Sequence, residues 1–164
     1  MLTICATRKL LDRVGSPVQP DGEPTTLLGT WYATALFWRP QVVLLVNEPT
    51  LLPVLLPLAP SSTLAARIPE QIAAVLAAHG TPAAILDEER HRMRDCMFAR
   101  TAKRSVVGIM NEFSSLAEVY RDGDPGPDLL AIALRLATTP CGPLYRKNVS
   151  PDRELAAFLA SLAI

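Results

Sequence analysis

The segment from Arg100 to Phe113 combines basic side chains with groups that can act in acid–base chemistry. It reads Arg-Thr-Ala-Lys-Arg-Ser-Val-Val-Gly-Ile-Met-Asn-Glu-Phe. Ammonium and guanidinium groups bind phosphate and carboxylate, and Arg binds them bidentately. A carboxylate can move a proton or hold a metal, so Glu112, with Asn111 to orient the reacting group, is a candidate catalytic residue. The candidate anion-binding residues are Lys103, Arg104 and Ser105.

The same segment also has a purely structural interpretation. Ser105–Ile109 is predicted to be a short β-like run, and Asn111 is predicted to cap a helix that extends through Tyr120. In that case Glu112 only favours the positive end of the helix, and the basic residues form a solvated turn. The sequence leaves both interpretations open.

Basic residues are concentrated between Arg90 and Arg104, where six Lys/Arg face one acid within a chain of zero net charge. A phosphate or nucleic-acid patch is one interpretation. A salt-bridged, exposed helix face is the other, with Glu88 and Arg92 as i,i+4 partners. Nucleic acid has weak support, because no aromatic residue interleaves the cluster before Phe98.

Metal, cofactor and covalent chemistry have little support in the sequence. The three cysteines are far apart, and the two histidines lie in no HExxH pattern. No GxSxG, P-loop or GxGxxG motif occurs. We therefore expect no metal site, no cofactor and reduced cysteines in the cytoplasm. The uncharged stretch Pro49–Ala66 contains four prolines, so we expect no membrane helix there.

Composition indicates one globular domain over residues 1–164. Apolar residues make up 49% of the chain, and 16 Lys+Arg balance 16 Asp+Glu. This balance excludes a histone-like or polybasic protein. It also makes self-association easy.

The sequence pattern predicts strands first and helices afterwards, which is typical of an α+β fold. Residues 1–6 are predicted to be a strand and Thr7–Val14 a short helix or turn. We expect a small, mostly antiparallel sheet made of that first strand and a three-stranded meander, with helices from the second half packed mainly on one face. The meander strands are Leu28–Phe37, Val42–Val46 and Leu51–Leu58. The predicted helices of the second half are Pro69–Ala78, Pro82–Ala99, Asn111–Tyr120, Leu129–Ala137 and Pro151–Leu162. The predicted loops are Gly15–Thr26, Asp122–Pro127 and Thr139–Val149.

Two details of the meander bear on partners. Pro53 and Pro57 remove donors from the same lateral side of the third strand, which predicts an edge strand. The first strand of the meander carries four aromatic residues whose side chains point alternately to the two faces of the sheet: Trp31, Tyr32, Phe37 and Trp38. One alternating set is expected in the core, and the other set could line a partner interface.

The chain resembles an uncharacterised family of small bacterial domains. Members have a Cys-Thr-x-Lys-Leu-Leu-like start, a Gly-x-Trp-Tyr-Ala strand, a Val-Asn-Glu-x-Thr-Leu-Leu hairpin and an Arg-Ser-x-x-Gly-x-Met-Asn-Asp/Glu-Phe segment. The matching residues are Thr7, Lys9, Leu10, Leu11, Gly29, Trp31, Tyr32, Ala33, Val46, Asn47, Glu48, Thr50, Leu51, Leu52, Arg104, Ser105, Gly108, Met110, Asn111, Glu112 and Phe113. The family cysteine would fall at Ala6, whereas this chain has Cys5. The resemblance implies a cytoplasmic bacterial protein and directs attention to Arg104–Phe113.

Two functions follow as expectations. The first is a protein-interaction or accessory module that binds a protein partner, or a second copy, through the meander edge or its aromatic face. The alternative is an enzyme or ligand-binding protein that acts on a phosphorylated or nucleic-acid substrate at Arg104–Phe113.

Overall fold

The computed structural model describes residues 1–15, 17, 22–122, 124, 126–141 and 150–162. The strands are β1 (Leu2–Ala6), β2 (Trp31–Leu36), β3 (Val42–Asn47), β4 (Pro53–Pro57) and β5 (Cys96–Arg100). The helices are α1 (Arg8–Val14), α2 (Leu64–Ala78), α3 (Ala83–Arg92), α4 (Arg104–Arg121), α5 (Leu129–Leu136) and α6 (Pro151–Leu162). The predicted loops at 15–26, 122–127 and 139–149 lie partly outside the described residues.

The strands form a mixed sheet in the order β4-β3-β2-β1-β5. The meander is confirmed, because β2, β3 and β4 pair antiparallel. The first strand, however, pairs parallel to both of its neighbours, with Ile4 opposite Trp31 on one side and Phe98 on the other. The α+β class is confirmed, and the prediction of a mostly antiparallel sheet is corrected to a mixed sheet, because β1 pairs parallel with β2 and β5 while only the meander pairs antiparallel.

Helices cover both faces of the sheet, which corrects the prediction that they pack mainly on one. On the first face, side chains of α1, α2 and α6 pack against alternate strand residues such as Trp31 and Leu45. On the second face, α4 and α5 pack against Tyr32 and Leu44. Strands that are apolar at consecutive positions must bury both faces, and Leu44 and Leu45 are each 0% exposed.

The edge formed by β4 is covered. As predicted from Pro53 and Pro57, β4 is the terminal strand on its side of the sheet. Helix α5 contacts β4 and also contacts α2 on the first face and α4 on the second. This arrangement leaves the meander edge closed to a partner strand.

Two elements of the second half differ from the sequence prediction. The helix that begins after Pro82 ends at Arg92, because Cys96–Arg100 pairs along its whole length with β1. The predicted β-like run Ser105–Ile109 belongs to α4. Apolar side chains at helical spacing pack this helix against the second face, and this packing outweighs the preference of the two adjacent valines for a β-strand. The packed side chains are those of Val106, Ile109, Met110, Phe113 and Ala117.

Candidate functional site

Three neighbouring parallel strands place their carboxyl ends at one rim of the sheet. These strands are β5, β1 and β2. The helix after β1 packs on the first face, whereas the helix after β5 packs on the second. In open sheets, ligands bind in the crevice where successive connections diverge to opposite faces, just beyond the carboxyl ends of the strands. The rim between β1 and β5 is such a switch point.

A cleft of about 770 Å³ opens at this switch point, between α1 and the end of β5. Arg100 ends β5 and is the register partner of Ala6, the last residue of β1. Arg8 and Asp12 are four residues apart on α1 and therefore share one flank of that helix. The lining residues are Ala6, Arg8, Leu11, Asp12, Gly15, Pro17, Arg100 and Thr101.

The two arginines of the cleft are exposed. The ion pairs between described residues involve other cations: Arg90, Arg92 and Lys103. Within the described part of the chain, neither Arg8 nor Arg100 makes an ion pair, and Asp12, the only acid in the lining, makes none either. Two guanidinium groups are therefore available to a ligand at the switch point.

A smaller cleft of about 350 Å³ lies at the same rim, between the start of α1 and the middle of α4. Lys9 belongs to its lining, and its Nζ lies 5.8 Å from the centre of the Phe37 ring. The hydroxyl of Thr7 donates a hydrogen bond to Thr34 with 2.8 Å between the oxygens, which fixes α1 to β2. The lining comprises Lys9, Thr34–Trp38, Asn111, Ser114, Ser115 and Glu118.

The predicted anion-binding residues lie where α4 begins. Lys103 forms an ion pair with Glu48, and the hydrogen bond to this carboxylate raises the pKa of the Lys103 ammonium. Its main-chain N–H donates to the Tyr32 hydroxyl over 2.9 Å. Arg104 and Ser105 are exposed in the first turn of the helix. The charge of Lys103 is thus already balanced by an acid.

The predicted catalytic residues are exposed in the middle of α4, so the prediction that Asn111 caps a helix is wrong. Asn111 lines the smaller cleft, whereas Glu112 lines neither of these two clefts. The charge of Glu112 instead adds to burial in raising the pKa of the Cys141 thiol to about 11. Eight residues of helix separate Asn111 from Lys103, about 12 Å along the axis, so the structure does not bring the predicted set together.

The basic cluster at 90–104 is divided by β5. Arg92 and Arg94 precede the strand, whereas Arg100 ends it and Arg104 follows it. The predicted pair of Glu88 and Arg92 is confirmed, with 2.7 Å between the carboxylate oxygen and Nε. The two halves of the cluster therefore belong to opposite ends of the sheet.

The sequence analysis included Arg100 in the basic cluster at 90–104 but named none of Arg8, Asp12 and Arg100 as a candidate site residue. The available signal was an arginine two residues after the first strand and another at the end of an apolar run before a helix. This signal gains meaning only if both segments are strands that run parallel and side by side, whereas the sequence prediction placed residues 82–99 in one helix.

The described residues hold neither a metal cluster nor a membrane span. In these ranges, no group of three His, Cys, Asp or Glu residues could hold a metal ion. No described helix is sufficiently long and apolar to cross a bilayer. Burial raises the pKa of Cys5, an effect that Glu48 adds to, and raises that of Cys96 to about 11, so both thiols stay protonated at neutral pH.

Comparison with known proteins identifies a family but no activity. A protein-family model described as a domain of unknown function (DUF6933) matches residues 3–154. No curated protein and no solved structure matches the chain. The match confirms the resemblance to an uncharacterised domain family that the sequence motifs indicated.

Proposed function

The chain belongs to the DUF6933 family of domains of unknown function, and we propose that it is a ligand-binding domain whose ligand carries a phosphate or carboxylate group. The binding site is the cleft between α1 and the end of β5. The observation that carries this proposal is the presence of two guanidinium groups at the switch point, Arg8 and Arg100, that form no ion pair with any described residue.

The chemistry of the cleft fits such a ligand. Each guanidinium presents parallel N–H donors that match the oxygens of phosphate or carboxylate. The Thr101 hydroxyl adds a further donor, and the Asp12 carboxylate can accept a hydrogen bond from a ligand hydroxyl or amine. A volume of about 770 Å³ lies within the range of small-molecule sites.

Thermal unfolding in the presence of phosphate, tripolyphosphate and citrate tests the proposal. The unfolding temperature of the wild-type protein should rise with anion concentration, because an anion bound only to the folded state stabilises it. The double variant Arg8→Gln/Arg100→Gln should lose this rise. The double variant Arg90→Gln/Arg94→Gln removes the same charge near the opposite end of β5 and should keep it. An equal rise in all three proteins would mean that general ionic strength causes the increase in unfolding temperature, and it would reject the proposed site.

A protein-interaction role is the second candidate, and the free edge of β5 favours it. This strand is last in the sheet order, and its outer side pairs with no other strand in the described ranges. Its side chains from Cys96 to Phe98 are half-buried. Because an unpaired strand edge is a template for a strand of another chain, a second copy is the simplest partner. Light scattering over a concentration series should then show dimers, and a monomer at every concentration would rule this out.

A further inference from the structure

We propose that the ligand is a single-stranded nucleic acid, whose phosphates contact Arg8 and Arg100 and one of whose bases stacks on Phe37. This inference rests on the anion-binding role proposed above for the larger cleft. It extends the site along the rim from the larger cleft to the smaller one.

Basic side chains follow the carboxyl end of each parallel strand along this rim. Arg100 ends β5, Arg8 and Lys9 follow β1, and Arg39 follows β2. Neighbouring strands are about 4.8 Å apart, so the three strand ends span about 10 Å. Among the described residues, the cations that line the two clefts are Arg8, Lys9 and Arg100, and the acids are Asp12 and Glu118. The lining is therefore positive by one charge in a chain of zero net charge. The exposed Arg39, next in sequence to the lining residue Trp38, adds a further cation.

An exposed aromatic ring lies beside these cations. Phe37 is 60% exposed, whereas the neighbouring Trp38 is 4% exposed and packs in the core of the second face. The Arg121 guanidinium lies 4.4 Å from the centre of the Trp38 ring. A phenylalanine that contributes little to the core is available to stack on a nucleobase, and stacking of this kind accepts any base. The exposed aromatic residue that is absent from the sequence cluster before Phe98 is thus supplied by Phe37, which directly follows β2.

The geometry favours a flexible single strand over a duplex or a lone nucleotide. Arg8 lines the larger cleft and Lys9 the smaller one, so these residues mark opposite flanks of α1. A helix with its side chains is about 10 Å across, so a ligand that contacts both Arg100 and Phe37 must extend over the start of α1. A duplex keeps its bases stacked inside and offers none to Phe37. A short single strand offers phosphates and bases in alternation.

The test is fluorescence anisotropy with labelled 12-nucleotide oligothymidylate and oligouridylate, and with a 12-base-pair duplex. Phe37→Ala should weaken binding of the single strands about tenfold, which corresponds to loss of one stacked base. Phe37→Tyr keeps a stacking ring and should bind like the wild type. Val119→Ala removes another exposed apolar side chain, on α4, and should have no effect.

The salt dependence of binding tests the phosphate contacts. Removing two phosphate contacts to a single strand should make the negative slope of log K against log salt less steep by about 1.4. We expect this loss of steepness in Arg8→Gln/Arg100→Gln and none in Arg90→Gln/Arg94→Gln. Equal binding of the duplex, or a Phe37→Ala variant that binds like Phe37→Tyr, would overturn the inference.

Tripolyphosphate separates this inference from the function on which it rests. If the wild-type protein is stabilised by tripolyphosphate through Arg8 and Arg100 but binds no 12-mer, the anion-binding role stands and the nucleic-acid inference fails. If neither tripolyphosphate nor a 12-mer binds, both fail.

Discussion

The hydroxyl of Tyr32 accepts a hydrogen bond from the main-chain N–H of Lys103, with 2.9 Å between oxygen and nitrogen. This contact joins the second strand to the residue that precedes α4. Tyr32 is only 2% exposed. Burial raises the pKa of its phenol, and so do the nearby Cys5 and Glu48, whereas the hydrogen bond from Lys103 lowers that pKa. The phenol therefore stays neutral and available as an acceptor at physiological pH.

Replacing this tyrosine should loosen the start of α4. Tyr32→Phe keeps the ring but leaves the Lys103 N–H without its acceptor, which should lower the free energy of unfolding by about 1 kcal/mol. Urea unfolding measures the change. Tyr120→Phe is the matched control, because its ring stacks under Arg135 and needs no hydroxyl for that contact. A loss in Tyr120→Phe as large as that in Tyr32→Phe would contradict the assigned role.

Glu89 holds the segment before β2 onto α3. Its carboxylate accepts the N–H groups of Leu27 and Leu28 over 2.7 and 3.0 Å, although the residue is 1% exposed. Glu89→Gln retains one acceptor oxygen but loses the other and the charge, so unfolding should become easier by about 2 kcal/mol. Glu88→Gln, which removes an exposed partner of Arg92, should cost under about 0.5 kcal/mol. Comparable urea midpoints for the two variants would contradict the larger contribution to stability that we expect from Glu89.

Two glycines should respond in opposite ways to the same substitution. Gly108 lies in the interior of α4. Apart from its two chain neighbours and the adjacent backbone of the helix, no atom lies within 4 Å of the position that an added Cβ would take. Gly108→Ala should therefore stabilise the fold by about 0.5–1 kcal/mol. Gly80 follows α2 with φ +82°. Gly80→Ala should destabilise, because a Cβ is strained in that conformation whatever space surrounds it. Thermal unfolding of both variants is the measurement, and shifts of the same sign would be inconsistent with this assignment.

Stability should fall on mild acidification because of His79. Burial lowers the pKa of its imidazole from 6.5, and the nearby Asp152 only partly opposes this effect. The unfolded chain therefore binds a proton at a pH where the folded protein does not. The free energy of unfolding should be highest above about pH 6.5 and decrease as the pH falls below it. His79→Gln should remove this part of the decrease in urea titrations at pH 7.5, 6.5 and 5.5, and His91→Gln, at an exposed position, is the comparison variant. If the free energy of unfolding depends on pH in His79→Gln as it does in the wild type, groups other than His79 cause the decrease.

The cysteines should be poor nucleophiles in the folded protein. Burial raises the pKa of Cys96 from 9.0 to about 11, and burial with Glu112 raises that of Cys141 equally. At pH 8 the thiolate fraction is then about 100-fold below that of a free thiol. Iodoacetamide labelling followed by peptide mass spectrometry should show slow modification of both residues in buffer and fast modification in urea. Rapid labelling of either residue without denaturant would contradict its buried environment.

Much of the local structure is determined by the sequence. Alternating and continuous apolar runs predict the meander, and Pro53 and Pro57 predict its edge strand, because proline cannot donate to a neighbouring strand. Gly80 marks the end of α2 through its freedom to adopt positive φ. Helix α6 begins at Pro151 as predicted from the preceding serine and the proline itself.

Only the tertiary structure decides which of these elements meet. Residues 96–100 become a strand because β1 has a second side to pair, and residues 105–109 become helix because their apolar stripe packs on the sheet. Neither influence is local in sequence. The parallel pairing of β1 with β5 brings Arg8 and Arg100, 92 positions apart, into one cleft, whereas Asn111 and Glu112, adjacent in sequence, point about 100° apart around their helix. The residue types of the site are set by the sequence, and their convergence is set by strand pairing between distant segments.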